Sequence, residues 1–327
     1  MARLGRLAKN VGEALSSAKC AVPQRLWNIP EKVTMYEVAP RDGLQNEKEL
    51  VPTETKVELI DRLTEAGFPV IEATSFVSPK WVPQLADGGD VMKKIVQKKG
   101  TRYPVLIPNS KGWRNAMMAG VREVAIFASA SEAFSEKNLN CSIKESLNKL
   151  EEVAHLADDA GVHVRGYVSC AVGCPYSGDI DPKDATAVAE ALIKMGCYEV
   201  SMADTTGVGT PASVAKMFEA CLERFSPSLL AAHMHDTYGQ GLVNVLTSLS
   251  LGIPTIDASI AGLGGCPFAK GAKGNIATED VVYMLNGFGV EHGIDVEKMV
   301  TASDFISKAI GQENNSRAAN ALLAKKG

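Results

Sequence analysis

No apolar stretch in this chain approaches the ~20 residues needed to cross a bilayer, and no run of lysines or arginines is longer than two. With 34 Lys+Arg against 38 Asp+Glu the formal net charge is −4, so the charge balance offers nothing to a nucleic-acid partner. A membrane partner is equally unsupported. The seven cysteines (20, 141, 170, 174, 197, 221, 266) are an odd number scattered along the chain. That argues against a secreted disulfide framework and for free thiols in a reducing compartment. Cys170 and Cys174 lack zinc spacing and a matching second pair, and are expected to be buried thiols. A phosphate-binding Gly-x-x-x-x-Gly-Lys-Ser/Thr loop is also missing. So is a Gly-x-Gly-x-x-Gly turn after the first candidate strand, where the chain reads Ala39-Pro40-Arg41-Asp42-Gly43-Leu44.

What is present begins with an unusual first thirty residues. Arg3, Arg6 and Lys9 recur at helical spacing, Leu4, Leu7, Val11 and Leu15 form a separate apolar stripe, and Glu13 is the sole acid before Glu31. A basic, amphipathic, acid-poor leader of this kind is expected to direct a protein to the mitochondrial matrix. The alternative is a plain tail on a cytosolic protein. Residues 31–327 then read as one catalytic domain. Short apolar segments at 33–38, 70–74, 103–107, 123–128, 163–168, 199–203, 229–235 and 255–259 alternate with longer stretches of helical period. Helix starts are marked at Thr53, Ser142, Asp181-Pro182 and Thr210-Pro211, and stops at Gly67, Gly161, Gly196 and Gly252. Right-handed crossovers between successive parallel strands close eight such units into a TIM (β/α)8 barrel. Further helices, over 278–286 and 295–310, are expected at the C-terminus.

Histidine is scarce, at five, and two of the five stand together in Ala231-Ala232-His233-Met234-His235-Asp236. Residues i and i+2 of a strand share a face, so both imidazoles leave the seventh strand on one side, with Met234 turned away into packing. In a barrel of this type the reacting groups lie at the C-terminal strand ends. Glu37, Arg41 and Asp42 leave the first strand, Glu72 and Thr74 the second, and Asn109 and Lys111 the third. Arg165 and Tyr167 leave the fifth, Asp204 and Thr205 the sixth, and His233 and His235 the seventh. Asp42 with the two histidines makes an N/O set suited to a divalent ion, with Mg2+, Mn2+, Co2+ and Zn2+ all compatible. No lysine at a strand end clearly suggests a Schiff base, so carbanion chemistry would rest on metal polarisation. After the eighth strand comes a glycine-rich loop carrying Cys266 between Gly265 and Pro267, with Lys270 and Lys273 beyond. A thiol over a metal site, with cations near, can serve as acid, base or nucleophile.

The loop from Ser259 to Asp280, containing Gly262-Leu263-Gly264-Gly265-Cys266-Pro267-Phe268, resembles the signature of the 3-hydroxy-3-methylglutaryl-CoA lyase family. So do Pro40-Arg41-Asp42-Gly43-Leu44-Gln45-Asn46-Glu47, Thr74-Ser75-Phe76-Val77-Ser78-Pro79, Gly173-Cys174-Pro175-Tyr176 and His235-Asp236-Thr237-Tyr238-Gly239-Gln240. The resemblance implies cleavage of an acyl-CoA substrate, HMG-CoA, to acetyl-CoA and acetoacetate, with Mg2+ or Mn2+ as cofactor and a homodimer as the assembly. It implies Asp42, His233, His235 and Asn275 as metal ligands, Arg41 at the thioester carbonyl, and Cys266 as the catalytic thiol. It also implies Glu37, Glu72, Asp204 and Glu279 as groups orienting the ligands, Tyr167 in the substrate pocket, and Lys48 or Lys111 near the CoA phosphates. Two departures flank functional residues: Ala39 where the family often has glycine, and Met234 where it often has cysteine. The absence of a cysteine after Cys266 puts the thiol regulation of some animal members in doubt here. A related condensing enzyme and a barrel that has lost catalysis are the rival readings. The Gly-Gly-Cys-Pro element argues against the first, and the retained polar set against the second.

Overall fold

A computed structural model describes residues 27–265 and 274–325 of the chain. Eight staves form the barrel: β1 (Thr34–Glu37), β2 in two segments (Val70–Ile71 and Thr74–Ser75), β3 (Val105–Leu106), β4 (Glu123–Ser129), β5 (His163–Ser169), β6 (Val200–Asp204), β7 (Leu230–Met234) and β8 (Thr255–Ala258). All neighbours are parallel. The ring closes because the two halves of β2 pair in opposite directions, Val70–Ile71 with β1 and Thr74–Ser75 with β3. Between them Glu72 N–H donates to Glu37 O (2.9 Å) and Ala73 N–H to Pro104 O (2.9 Å), so the break reaches both neighbours. The third stave is shorter than its apolar run because Pro104 and Pro108 flank it and carry no N–H for pairing.

Helices form at each of the four starts marked in the sequence, and the full set is larger. They are α1 (Thr53–Glu65), α2 (Gly88–Lys94), α3 (Ser110–Met118), α4 (Glu132–Leu139), α5 (Ile143–Asp159), α6 (Pro182–Lys194), α7 (Pro211–Leu222), α8 (Gly241–Ser250), α9 (Thr278–Phe288), α10 (Val296–Ile310) and α11 (Arg317–Ala324). Ser142 and Glu145 close a capping box on α5, which turns Leu150, Val153, Ala154 and Ala157 onto the sheet. Thr210 caps α7 with proline at its first turn, and Gly289 and Gly311 end α9 and α10 in left-handed geometry. The periodic stretch after β7 becomes helical only at Gly241, because Asp236 Oδ1 accepts the Gly241 N–H (2.7 Å) and holds the intervening residues in a turn. Helices α2, α3, α4 and α11, and a short hairpin pairing Gly173–Cys174 with Gly178–Asp179, add to those read from the sequence; α4 has weak periodicity, whereas α11 is amphipathic behind its Ser316 cap. The apolar core lies between staves and helices, with Met234, Ile256 and Val200 fully buried there. The barrel interior is mainly polar.

Candidate active site

The turn after β1 aims the first two functional side chains. Backbone N–H groups of Arg41, Asp42 and Gly43 all donate to Val38 O at 2.8–3.2 Å, winding Ala39–Gly43 into one wide helical turn. Glu37 fixes that turn to the end of the barrel. Its Oε1 accepts from Ala39 N–H (2.9 Å) and Ile260 N–H (3.0 Å), and its Oε2 from the Thr278 hydroxyl (2.7 Å). At the end of β7, Asp236 N–H donates to Gly274 O and Ile276 N–H to Met234 O, bringing Asn275 beside His235. Gly264 makes room for it: at φ +127° a Cβ there would sit 2.5 Å from Asn275 Nδ2.

Asp42, His233 and His235 meet across the barrel mouth. One ligand atom from each lies within 4.8 Å of the others. His233 Nε2 is 3.3 Å from His235 Nε2 and 3.9 Å from Asp42 Oδ2, and Asn275 Nδ2 donates to that same Oδ2 at 2.7 Å. Two imidazole nitrogens and a carboxylate oxygen, converging from separate elements and largely out of water, fit a divalent ion. Electrostatics favour the ligating forms. Burial alone would raise Asp42, but Arg41 and then His233, His235 and Asn275 hold it at about 2. Burial, with His233 beside it, lowers His235 to about 4, so its imidazole is neutral at physiological pH.

Arg41 is 6% exposed and lies between two carboxylates. Its Nη1 is 2.7 Å from Asp42 Oδ1, and its Nε and Nη2 reach Glu72 Oε2 at 2.9 and 2.8 Å. Tyr167 O–H donates to that oxygen as well (3.0 Å), and its ring lies edge-on to His233 (centroids 6.1 Å apart). Asp204 Oδ2 accepts the Gly209 N–H (2.8 Å), and burial raises its carboxyl to about 6. Gly209 is required for that approach, since a Cβ would stand 2.7 Å from the carboxylate.

Below the mouth is a second charged layer. Arg165 is fully buried and lies inside the barrel, one layer deeper than the strand-end position expected of it. It forms a bidentate pair with Asp257 (2.7 and 3.1 Å), reaches Glu199 Oε1 (2.7 Å), and lies over the Tyr36 ring (3.8 Å to the centroid). Ser201 O–H donates to Asp257 Oδ2 (2.7 Å), and Thr255 O–H to Glu199 Oε2 (2.7 Å). Asp257 Oδ2 lies 3.3 Å from His233 Nδ1. Sequence reasoning passed over Asp257, Glu199 and Ser201. Their only signal is an acid or hydroxyl at alternate, inward positions of otherwise apolar strands.

Asp42, His233, His235, Asn275, Arg41, Glu72 and Tyr167 therefore converge, whereas Asp204 is the register partner of Met234 and its carboxylate holds the backbone of the loop after β6. Glu37 and Glu279 do not touch the ligands. Glu279 accepts the Ala261 N–H (2.9 and 3.1 Å), so both glutamates brace backbone behind the site instead of orienting side chains within it. Lys48 and Lys111 are exposed. Lys48 lies on the segment whose Asn46 donates to Gly265 O (2.7 Å), and Lys111 in the first turn of α3. Cys266, Lys270 and Lys273 lie outside the described residues, as does nearly all of the 1–30 leader.

Residues 32–306 match the HMGL-like family model. The chain is 52% identical to a rat protein named 3-hydroxy-3-methylglutaryl-CoA lyase, cytoplasmic, over 96% of this chain and 91% of that one. It is 58% identical to an Arabidopsis thaliana protein named hydroxymethylglutaryl-CoA lyase, mitochondrial, over 90% of this chain and 63% of that one. The crystal structure of hydroxymethylglutaryl-CoA lyase from Pseudomonas aeruginosa superposes with a TM-score of 0.89 at 52% identity, covering 91% of this chain and 99% of that chain. With most of its length matched and its barrel shared, this chain belongs to the HMG-CoA lyase family.

Proposed function

We propose that this chain is a hydroxymethylglutaryl-CoA lyase, a carbon–carbon lyase cleaving (S)-3-hydroxy-3-methylglutaryl-CoA to acetyl-CoA and acetoacetate. The observation that carries the reading is the junction of the Asp42–His233–His235 cluster with Arg41, through Asp42 and at 2.7 Å. In the reaction the C3 hydroxyl loses its proton and the C2–C3 bond breaks. Its electron pair moves onto the thioester oxygen as an enolate, C3 becomes the ketone of acetoacetate, and a proton added at C2 completes acetyl-CoA. A bound divalent ion, Mg2+ or Mn2+, held by Asp42, His233, His235 and Asn275, would lower the pKa of the C3 hydroxyl. Arg41 is the cation for the enolate oxygen, and Glu72 and Tyr167 hold its guanidinium in place. Cys266 handles the proton, since a thiol can give and take it near neutral pH once cations lower its pKa. Lys48 and Lys111 stand at the same barrel end, where CoA phosphates would lie. The family resemblance supports a homodimer as the assembly. The basic leader supports the mitochondrial matrix, and the named relatives include both mitochondrial and cytoplasmic proteins.

The test is acetoacetate release from HMG-CoA by chelator-stripped protein given back Mg2+ or Mn2+. We expect turnover to return with metal and to be lost, together with metal binding, in His235→Ala. Stripped protein that stays inactive with either ion and with thiol reductant would refute the assignment.

A further inference from the structure

The mouth contains an asymmetry that ligand identity alone does not explain. Among the described residues, His233 alone of the two imidazoles faces a carboxylate through Nδ1, and that carboxylate belongs to the layer below. His233 and Asp257 are register partners on β7 and β8, so both side chains enter the barrel at one level. Asp257 is 1% exposed and cannot turn away: Arg165 grips both oxygens and Ser201 fills Oδ2 again. A carboxylate so held is an acceptor only, which places the His233 proton on Nδ1. Nε2 is then the lone-pair nitrogen, and Nε2 is the atom that faces Asp42 and His235.

From this geometry we infer that Asp257, seated on Arg165 and Ser201, is a positioning residue that fixes the tautomer and ring orientation of His233 toward the metal. The inference rests on the metal reading above for its consequence, though not for the tautomer itself. Outer carboxylates of this kind typically change metal affinity by about 10–100-fold when removed. Replacing Asp257 with asparagine acts on the tautomer directly. With its NH2 in the place of Oδ2, the amide donates to Nδ1 and to the Ser201 hydroxyl oxygen and drives the His233 proton to Nε2, while its carbonyl, in the place of Oδ1, still accepts from Arg165 Nη2. Glu199 provides the contrast, because it binds the same arginine without touching His233.

Two measurements decide the matter on the full chain. Ring 15N shifts of metal-free wild type, with His233 assigned by its loss in His233→Gln, are expected to show Nδ1–H and a bare Nε2; an Nε2–H tautomer overturns the inference. This reading needs no Asp257 variant to fold. Mn2+ affinity is expected to fall about 10–100-fold in Asp257→Asn and to stay near wild type in Glu199→Gln. Equal losses in both variants, or none in Asp257→Asn, overturn it, since Asp257 would then be only part of an ion cluster. Wild-type protein that binds no Mn2+ would sink the metal reading, and the tautomer would still decide whether Asp257 sets His233.

Discussion

Two arginines enter this barrel, each between two carboxylates, yet they are built for different work. Arg165, in the lower layer, has every partner oxygen filled. Asp257 takes two of its N–H groups and a serine, and Glu199 takes one and a threonine. Arg41, at the mouth, has partners with capacity to spare. Among the described residues Glu72 Oε1 has no hydrogen bond, and Asp42 also belongs to the candidate metal cluster. A closed ion network in low dielectric is rigid because any displacement leaves a buried charge unpaired. An incompletely satisfied one can exchange partners when a charged substrate arrives. Tyr167 lies between the layers, 4.9 Å from the Arg165 guanidinium and 5.6 Å from that of Arg41, measured to its ring centroid. The layers are thus stacked, with the closed one supporting the open one.

The most direct way to break this contrast is to neutralise each arginine in turn. Arg165→Met should destabilise the fold by about 3–5 kcal/mol, because Asp257 and Glu199 would remain buried without their cation. Arg41→Met should leave the denaturation midpoint much nearer wild type and cut turnover about 10²–10³-fold, as expected for a lost donor to a developing oxyanion. Denaturant melts and acetoacetate assays on both variants check this. Similar melts for the two would erase the distinction between layers. A milder probe is Tyr167→Phe, which removes one hydrogen bond to Glu72 and keeps the ring. It should cost about 1 kcal/mol, seen as less than a tenfold change in kcat/KM. A larger loss would show that the mouth is as rigid as the floor.

The mouth was far more legible in the sequence than the layer below it. Asp42, His233 and His235 announce themselves through chemistry: scarce histidines at i, i+2, and a carboxylate on the strand that neighbours β8. The stave count could be read because helix caps and apolar runs alternate. Arg165, Asp257 and Glu199 instead belong to strands whose alternation looks ordinary. Their pairing spans 34 and 92 residues, a separation that only the strand register reveals. Glu279 and Glu37 were legible as functional acids, but their targets were backbone N–H groups, which no side-chain pattern marks. Proline positions would have predicted the short third stave had they been weighed against its apolar run.

Glu37 offers the subtlest test, because it is a buried acid with neither arginine beside it. Burial dominates and raises its carboxyl from 4.5 to about 8, against three opposing hydrogen bonds from Thr278, Ala39 and Ile260. A carboxyl raised on folding binds its proton more tightly in the folded chain. The stability it contributes is complete below pH 4.5 and is lost as pH rises through about 8. Asp257 is the opposite case. Burial raises it, but Arg165 and His233 overcome that and lower it overall, so its contribution is present above the usual carboxylate range and lost in acid. Glu37→Gln keeps a carbonyl for the two N–H groups and an NH2 for the Thr278 oxygen, so near pH 5 it should be almost silent. Between pH 5 and 8 its stability should fall less steeply than that of wild type. Urea midpoints across that range would show it. A slope identical to wild type would mean that the three donors keep Glu37 ionised throughout, and that hydrogen bonding, even without an arginine, can hold a charge inside this barrel.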